Sequence, residues 1–462
     1  MTSLELARWQ FGITTLYHFI FVPVTIGMAI FVAYCQTRWH RTGDERWLRA
    51  TRFWAKLMLV SFALGVVTGI VQEFQFGMNW SVYSRFVGDI FGAPLAMEGL
   101  AAFFVESTFL GLWLFGWGRL SPRVHLACAW AVAGSTALSA YFILAANSWM
   151  QHPVGYEMED GRPRLTSIAD VLFNSTAIYA FVHTMLAALM TAGMLVLAVS
   201  AWHMRRGNEA AGVFSSSMRL ALPVVTVAAF LQVVVGHFNG ILMTDQQPMK
   251  MAAADAVFET TEGAGLSLFA IGDFESNPEG LNRNVEIPNL LSWASTGYPR
   301  GEIQGINDIN DEYRETYGPG EYAPIVAVTY WTWRAMIGAG VLMFLLGAYG
   351  WWRASRGRLE QSRRFLAWSV PAVSLPFIAS LTGWTFTEMG RQPWVVFGLL
   401  KTTDADSPSV SAAEVWITLV GFTLLYGILA VIAGRVFLKL ARKGPEKEGS
   451  AQEPGFELAL TY

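Results

Sequence analysis

The chain has 462 residues and is 53% hydrophobic before its 43 glycines are counted, whereas soluble domains reach about 45–50% with glycine included. Charged residues make up 15%, where about 25% is usual. Such a chain cannot cover a water-facing surface with polar groups, and its composition also excludes a disordered, collagen-like or coiled-coil protein. The net charge of −3 argues against nucleic acid as a partner, and two cysteines are too few for a disulfide scaffold. We therefore predict an integral membrane protein.

Nine apolar segments are long enough to cross a membrane, because a spanning helix needs about 20 mostly apolar residues. The segments are 12–37, 53–73, 94–117, 124–149, 177–203, 218–240, 325–351, 366–389 and 413–438. We predict one all-α membrane domain over residues 1–440, interrupted by a long connection at 241–324. The polar tail at 441–462 is predicted to be disordered.

Basic residues concentrate in the connections that follow the first, third, fifth and seventh spans, and in the tail. These segments hold 18 of the 32 Lys and Arg residues, and an excess of basic residues marks the cytoplasmic side of a membrane protein. We therefore expect the N-terminus outside the cell and the C-terminus in the cytoplasm. The connection 241–324 is then external, and it is acidic, with 14 Asp or Glu against 4 Lys or Arg.

Ionisable side chains inside the predicted spans are few, and each needs an explanation because a charge at mid-membrane costs roughly 2.5–3.5 kcal/mol. They include His18, Glu98, Glu106, His183, Arg334 and Glu388. Counted from the helix ends, they gather in the outer half of the membrane. A lone buried histidine is more often a packing residue than a ligand. Two histidines at matched depth make ligation a stronger alternative to packing, since neutral imidazole is a good axial ligand for haem iron.

The spacing and neighbours of these residues suggest roles for three of them and for Met336. Glu98 and Glu106 are eight residues apart and should point to roughly the same side of their helix, which favours a proton relay or ligation of a metal or haem over a structural ion pair. Arg334 is expected either to pair with one of these carboxylates or to neutralise a haem propionate. Met336 alone would be a packing residue, although His and Met together form a known low-spin haem ligation.

The external connection contains one periodic run, at about 249–260, which predicts a short amphipathic helix at the membrane interface. Lys250 and Asp255 in this run could bind the polar head of an amphiphile such as a quinol, but from the residues alone a solvated face is favoured. His203, in a cytoplasmic flank, is likewise expected to be solvated.

Across about 440 N-terminal residues the chain resembles subunit I of the bacterial cytochrome bd-type quinol oxidases. The similarity is densest in QFGITTLYHFIFVPVTIGMA, EFQFGMNWSVYSRFVGDIFGAPLAMEGLAAFFVESTFLGLWLFGW, ILAANSWMQHPVG, FVHTM, WRAM, GWTFTEMGRQPW and the QQPMK segment of the external connection. The resemblance implies nine helices packed around a low-spin haem b, a high-spin haem b and a haem d. It also implies a second membrane subunit, with room for small accessory subunits, in the bacterial cell membrane.

The resemblance assigns the haem-binding residues. His183 and Met336 look like the axial ligands of the low-spin haem b, with Arg334 as a propionate neighbour. His18 and Glu388 look like the ligands of the two high-spin haems, in an order that stays open. Glu98 looks like the carboxylate beside the oxygen-reducing haem and is a candidate ligand of its iron. Trp384 resembles the aromatic residue between haems, and Arg391 looks like a contact of a haem propionate.

The family's reaction would oxidise quinol at the outer face and reduce dioxygen to water with cytoplasmic protons, which separates charge without a pump. Glu106 with Ser139 looks like part of the proton path, and Lys250 matches the lysine of the quinol site. Asp255 stands where some members carry glutamate, and the external connection lacks a long insertion, so a short-loop form is expected. A proton-coupled transporter, a haem-bearing anchor and a copper-containing haem oxidase explain fewer of these residues.

Overall fold

A computed structural model describes residues 1–207, 210–275 and 281–446. Within these ranges, nine helical stretches are long and apolar enough to span a membrane, which confirms the predicted number. The spanning helices are α1 (Ser3–Thr42), α2 (Glu45–Met78), α3 (Ser81–Met97) continued through a π-helix (Glu98–Phe103) into α4 (Phe104–Phe115), α5 (Pro122–Gln151), α6 (Ile168–Leu172) leading into α7 (Ser175–Arg205), α8 (Ala211–Gln246), α12 (Val326–Ser355), α13 (Arg363–Ser369) leading into α14 (Ser374–Met389), and α15 (Ala412–Lys443).

The connection between α8 and α12 is more ordered than the sequence indicates. It contains α9 (Pro248–Asp255), α10 (Leu290–Thr296), α11 (Ile306–Tyr317) and two small antiparallel pairs, β3 (Thr261–Glu262) with β6 (Glu302–Ile303) and β4 (Leu266–Ile271) with β5 (Asn282–Ile287). Two further hairpins are β1 (Tyr156–Glu159) with β2 (Arg162–Leu165), and β7 (Trp394–Val396) with β8 (Leu400–Lys401). From its composition the stretch 272–322 is expected to be irregular loop, and the structure corrects this expectation, because such short elements have too little periodicity to stand out from a polar composition.

Side-chain caps define several helix boundaries. Thr2 begins α1 with a capping box that includes Glu5, which satisfies backbone N–H groups that have no partner inside the helix. Gly43 ends the same helix at φ 67°, a conformation that favours glycine. Asp44 then caps α2, so that only two residues separate α1 from α2 and the two helices pack antiparallel.

Short connections of this kind give the bundle two distinct ends. We call the end that carries α9–α11 the loop end; its connections are 79–80, 152–174, 247–325 and 390–411. We call the opposite end the arginine end; its connections are 43–44, 116–121, 206–210 and 356–362. The largest hydrophobic core occupies the half of the bundle toward the arginine end, where it includes Trp54, Met58, Trp113 and Phe214. The loop end has smaller, separate apolar clusters.

Several bounds differ from the sequence-based expectation. Helix α8 continues to Gln246, six residues into the predicted connection. Helix α9 ends at Asp255 and its residues from Met249 are buried, so the predicted interfacial helix over 249–260 is shorter and lies inside the protein. The last helix continues to Lys443, and Glu446 forms an ion pair with Lys56 at 2.8 Å. Residues 447–462 of the predicted disordered tail lie outside the described part of the chain.

Candidate functional site

His18 lies on α1 with one ring nitrogen held by the protein. Its Nδ1 is 2.8 Å from the hydroxyl of Thr68 on α2. That hydroxyl donates its own proton to the carbonyl of Leu64 at 2.7 Å, so it accepts a proton from Nδ1. The tautomer with Nδ1 protonated leaves a lone pair on Nε2, which is the form of imidazole that binds iron. The neighbouring Gly69 allows the two helices to approach, because a Cβ there would lie 3.2 Å from the imidazole.

His183, Met336 and Trp384 lie on three different helices, α7, α12 and α14. The Nδ1 of His183 is buried and has no hydrogen-bond partner, and the same is true of the indole Nε1 of Trp384. Trp384 stacks on Phe19, with ring centroids 5.2 Å apart, and so places α14 beside the residue that follows His18. Met336 packs against Gly383, where a Cβ would lie 2.7 Å from its sulfur. Buried polar nitrogens without partners are costly, which indicates that this region accommodates a further polar group.

Glu388, at the loop end of α14, is held through both carboxylate oxygens. Asn147 on α5 donates to Oε1 at 3.0 Å, and Arg391 donates to Oε2. Arg391 is buried, at 3% exposure, yet its Nε and Nη1 have no partner. A buried guanidinium that uses one of its donors on a carboxylate can bind a second anionic group with the others.

Lys250 on α9 reaches the same neighbourhood from the loop. It is 2% exposed, and its ammonium donates to Oε1 of Gln151 at 2.8 Å. The solvated face favoured by the residues alone is therefore wrong. Burial lowers the pKa of Lys250 to about 7, and the nearby positive charge of Arg391 acts in the same direction. A small cavity lies beside this lysine, lined also by Tyr313, Gly390 and Trp394.

Asp255, five residues further along α9, points elsewhere, because five residues turn an α-helix by about 140° past a full turn. It forms a buried ion pair with Arg334 on α12 at 2.9 Å. Arg334 also donates to the carbonyls of Ala254 and Ser267 and lies over the ring of Tyr330. Arg334 thus ties the loop to the helix that carries Met336, and the alternative that it pairs with a glutamate of the third span is wrong.

Glu98 and Glu106 both face α5 across the π-helix. Eight residues of regular α-helix would place them about 80° apart, but a π-turn absorbs one extra residue and brings the two positions to within roughly 20°. Glu98 accepts a hydrogen bond from Ser139 at 2.7 Å, and Glu106 accepts one from Thr136 at 2.8 Å. Ser139 therefore bonds to Glu98, and its place with Glu106 in a proton path stays a prediction.

The side chains that hold the site residues were not predicted from the sequence; they are Thr68, Thr136, Asn147 and Gln151. Asn147 and Gln151 carried a usable signal, because two amides four residues apart form a polar face on a spanning helix. His203 was also misjudged: it is 1% exposed, and its Nε2 bonds to the carbonyl of Ala441. The two threonines look like ordinary helix residues in the sequence.

The donors in this region fit haem. Imidazole, thioether and carboxylate groups are the side chains that ligate haem iron or line its pocket. The unpartnered nitrogens of His183, Trp384 and Arg391 add polar groups that a large, partly anionic cofactor would satisfy. A bundle of nine candidate membrane spans within the described residues, with these donors in the half toward the loop end, fits a membrane haem protein.

Comparisons with known proteins identify the family. The family model for cytochrome bd terminal oxidase subunit I matches residues 6–445. Cytochrome bd ubiquinol oxidase subunit 1 of Bacillus subtilis (strain 168) is 39% identical, covering 98% of this chain and 97% of the relative. Cytochrome bd-II ubiquinol oxidase subunit 1 of Escherichia coli (strain K12) is 35% identical, covering 97% and 98%.

A solved structure agrees with these relatives. The bd oxidase of Geobacillus thermodenitrificans matches with a TM-score of 0.88 and 28% identity, over 96% of this chain and 99% of that chain. The chain belongs to the cytochrome bd terminal oxidase subunit I family, as its sequence motifs predict. Members of this family are membrane proteins of multisubunit complexes that carry haem.

Proposed function

We propose that this chain is the haem-bearing subunit of a quinol:dioxygen oxidoreductase of the bacterial cell membrane. The observation that carries the proposal is the presence of buried nitrogens without partners on His183, Trp384 and Arg391, in the half of the bundle that also carries His18, Met336 and Glu388. Membership of the family supports the reaction class. Haem, when bound, supplies iron centres that accept electrons one at a time and pass them to dioxygen.

The residues divide into two ligand sets. His183 and Met336 would hold a low-spin haem b, while His18 and Glu388 would hold a high-spin haem b and a haem d, in an order that stays open. Arg391 would bind a propionate with the nitrogens that Glu388 leaves unused. Trp384 would lie between the haems. The role of Arg334 as a propionate neighbour stays a prediction. In the structure all three nitrogens of its guanidinium group donate to groups of the loop.

Quinol would bind at the loop end. The basic residues of the arginine end indicate that the arginine end would face the cytoplasm, so that the loop end would lie on the outer side of the membrane. Lys250 is buried beside a small cavity, which supports a contact with the quinol head. Asp255 would act on the same site indirectly, because its carboxylate pairs with Arg334.

Protons for water formation would come from the cytoplasm through Glu106 and then Glu98. Both carboxylates lie on one face, and each has a hydroxyl partner on α5 that can accept and donate a proton. Proton uptake on one side and release from quinol on the other would build the proton motive force without a pump. The chain would work with a second membrane subunit and with any small accessory subunits of the complex.

A reduced-minus-oxidised absorption spectrum of the purified complex tests the proposal. We expect bands from two b-type haems and a band further to the red from haem d. A spectrum without the red band would exclude the haem d assignment, and one with only low-spin haem would favour an electron-carrying anchor. A protein that contains no haem would instead favour a transporter that uses Glu98 and Glu106 for proton coupling.

A further inference from the structure

Three consecutive hydrogen bonds connect the loop to the haem-ligand candidate on α14. Lys250 donates to Gln151 at 2.8 Å, Gln151 donates to Asn147 at 2.8 Å, and Asn147 donates to Glu388 at 3.0 Å. The two amides stand four residues apart on α5, so that one helix face carries the whole connection. We call these four side chains the amide chain.

The chemistry of its two ends fixes the direction of every bond in the amide chain. While Lys250 is protonated, its ammonium group can only donate, and an ionised carboxylate can only accept. Gln151 must therefore turn its oxygen to Lys250, and Asn147 must turn its NH₂ to Glu388. All three bonds then point the same way, from the cation to the carboxylate. Hydrogen bonds aligned in this way polarise one another, and they do so more strongly in a medium of low dielectric constant.

The surrounding backbone holds the amide chain in place. Gln247, next to α9, donates to the backbone carbonyl of Gln151 at 2.6 Å and ties the start of α9 to the end of α5. Lys250 also packs on Gly390, where a Cβ would lie 2.9 Å from its Cγ. A larger residue at position 390 would push the lysine away from Gln151.

We propose that Asn147 and Gln151 are positioning residues that couple Lys250 in the loop to the carboxylate of Glu388. Asn147 orients the carboxylate and draws electron density from it, and Gln151 carries the charge of Lys250 to Asn147. A molecule that competes for the ammonium of Lys250 thereby changes Glu388 as a ligand. The inference rests on the proposed function, in which Glu388 ligates haem and Lys250 contacts quinol.

The purified oxidase complex without quinol provides the test, with the midpoint potential of the haem at Glu388 followed by its absorption during redox titration. We expect Asn147→Leu and Lys250→Met each to shift this potential. In the Asn147→Leu background, Lys250→Met should produce little further shift, because the connection is already broken. Equal shifts from Lys250→Met in both backgrounds would overturn the coupling and leave only a through-space effect of the charge.

Haem retention gives a second readout. Groups that orient a metal ligand contribute about 10–100-fold to affinity or activity, so Asn147→Leu should release this haem to apomyoglobin about tenfold faster than wild type. Gln36→Leu is the matched control, because Gln36 is a buried amide bonded to His125 at the arginine end. Release that is equally fast in both variants would show general destabilisation and overturn the positioning role.

Two further variants keep the outcome interpretable. If Asn147→Leu does not assemble, Gln151→Leu breaks the amide chain one bond further from Glu388, and it should also remove the response to Lys250→Met. A response that persists in Gln151→Leu would contradict the proposal.

Glu388→Ala tests the ligand assignment itself. If all haem bands survive in Glu388→Ala, Glu388 is not a haem ligand and that part of the proposed function is wrong. If a band is lost in Glu388→Ala but Asn147→Leu leaves the midpoint potential unchanged, only the proposed coupling through the amide chain is wrong.

Discussion

The two ends of the bundle treat their buried histidines in opposite ways. At the arginine end, both ring nitrogens of His125 are bonded, one to Gln36 at 2.8 Å and one to the carbonyl of Trp113 at 2.8 Å. In the half toward the loop end, His183 has an unpartnered Nδ1, and His18 has its Nδ1 fixed by Thr68. The residue type is the same, and the hydrogen bonding separates His125 from His183 and His18.

The difference teaches how to recognise a cofactor site inside a membrane domain. A buried polar group without a partner costs about 1–3 kcal/mol, and the arginine-end histidines avoid this cost with protein partners. The unpartnered nitrogens of His183, Trp384 and Arg391 lie on or next to residues proposed to hold haem, whereas the arginine end has an unpartnered indole nitrogen on Trp117 and none on a histidine among the described residues. Bonded histidines therefore support the fold, and those with an available nitrogen indicate function.

The largest effect is expected for His183→Ala. Loss of an axial ligand should remove the low-spin haem band and nearly all quinol oxidation. The purified variant complex would be measured by difference spectroscopy and by oxygen consumption. Retention of the low-spin band together with activity would break the comparison between the two ends, since His183 would then be a packing residue.

Glu106→Gln should slow oxygen reduction at least about a hundredfold, because a positioned proton-transfer group typically contributes about 10²–10⁴-fold. The amide keeps the shape and the hydrogen bond from Thr136 but cannot carry a proton. The haem content should stay intact, which separates this effect from loss of a ligand. Glu106→Asp retains a titratable group and serves as the matched variant. Normal oxygen consumption in Glu106→Gln would count against the proton path.

A smaller effect concerns the pH dependence of quinol oxidation. Because the pKa of Lys250 is lowered to about 7 by burial, its neutral amine predominates above this pH and can accept a proton from quinol. We expect kcat/KM for quinol to rise about tenfold per pH unit below pH 7 and to level off above it. Lys250→Met should flatten the profile, whereas Lys401→Met, which alters a loop-end lysine lying over Tyr322, should preserve it. An unchanged profile in Lys250→Met would assign the pH dependence to another group.

The smallest functional effect is expected at the arginine end. His125→Ala removes the partner of the side-chain NH₂ of Gln36 and of the carbonyl of Trp113, which should cost about 1–3 kcal/mol of stability. The haem bands and the turnover of the folded complex should be unchanged. Thermal unfolding and the difference spectrum of the same sample would measure both. Loss of a haem band in His125→Ala would show that a fully bonded histidine can also support a cofactor.

The sequence predicted the spanning helices well, because apolar length is a local property and a membrane leaves few alternatives. The resemblance supplied the candidate ligands, which remain predictions. The partners of those ligands depend on tertiary packing that no local pattern encodes. Asp255 illustrates this point, since only the packing of α9 against α12 brings it to Arg334. The pairing of Ser139 with Glu98 was missed for a related reason, because it depends on a change of helical phase between two residues eight apart.

That change of phase ties the facing of the two acids to the extra residue of the π-helix. The π-helix at Glu98–Phe103 holds one residue more than an α-helical turn would. Deletion of Gly99 would let the segment relax to a regular α-helix in which the two acids stand seven positions apart, and seven positions also bring them to within about 20° of each other. Both carboxylates would then still face α5. A one-residue gap in this helix is therefore compatible with the same pair of acids, whereas a substitution of Glu98 or Glu106 removes one of them.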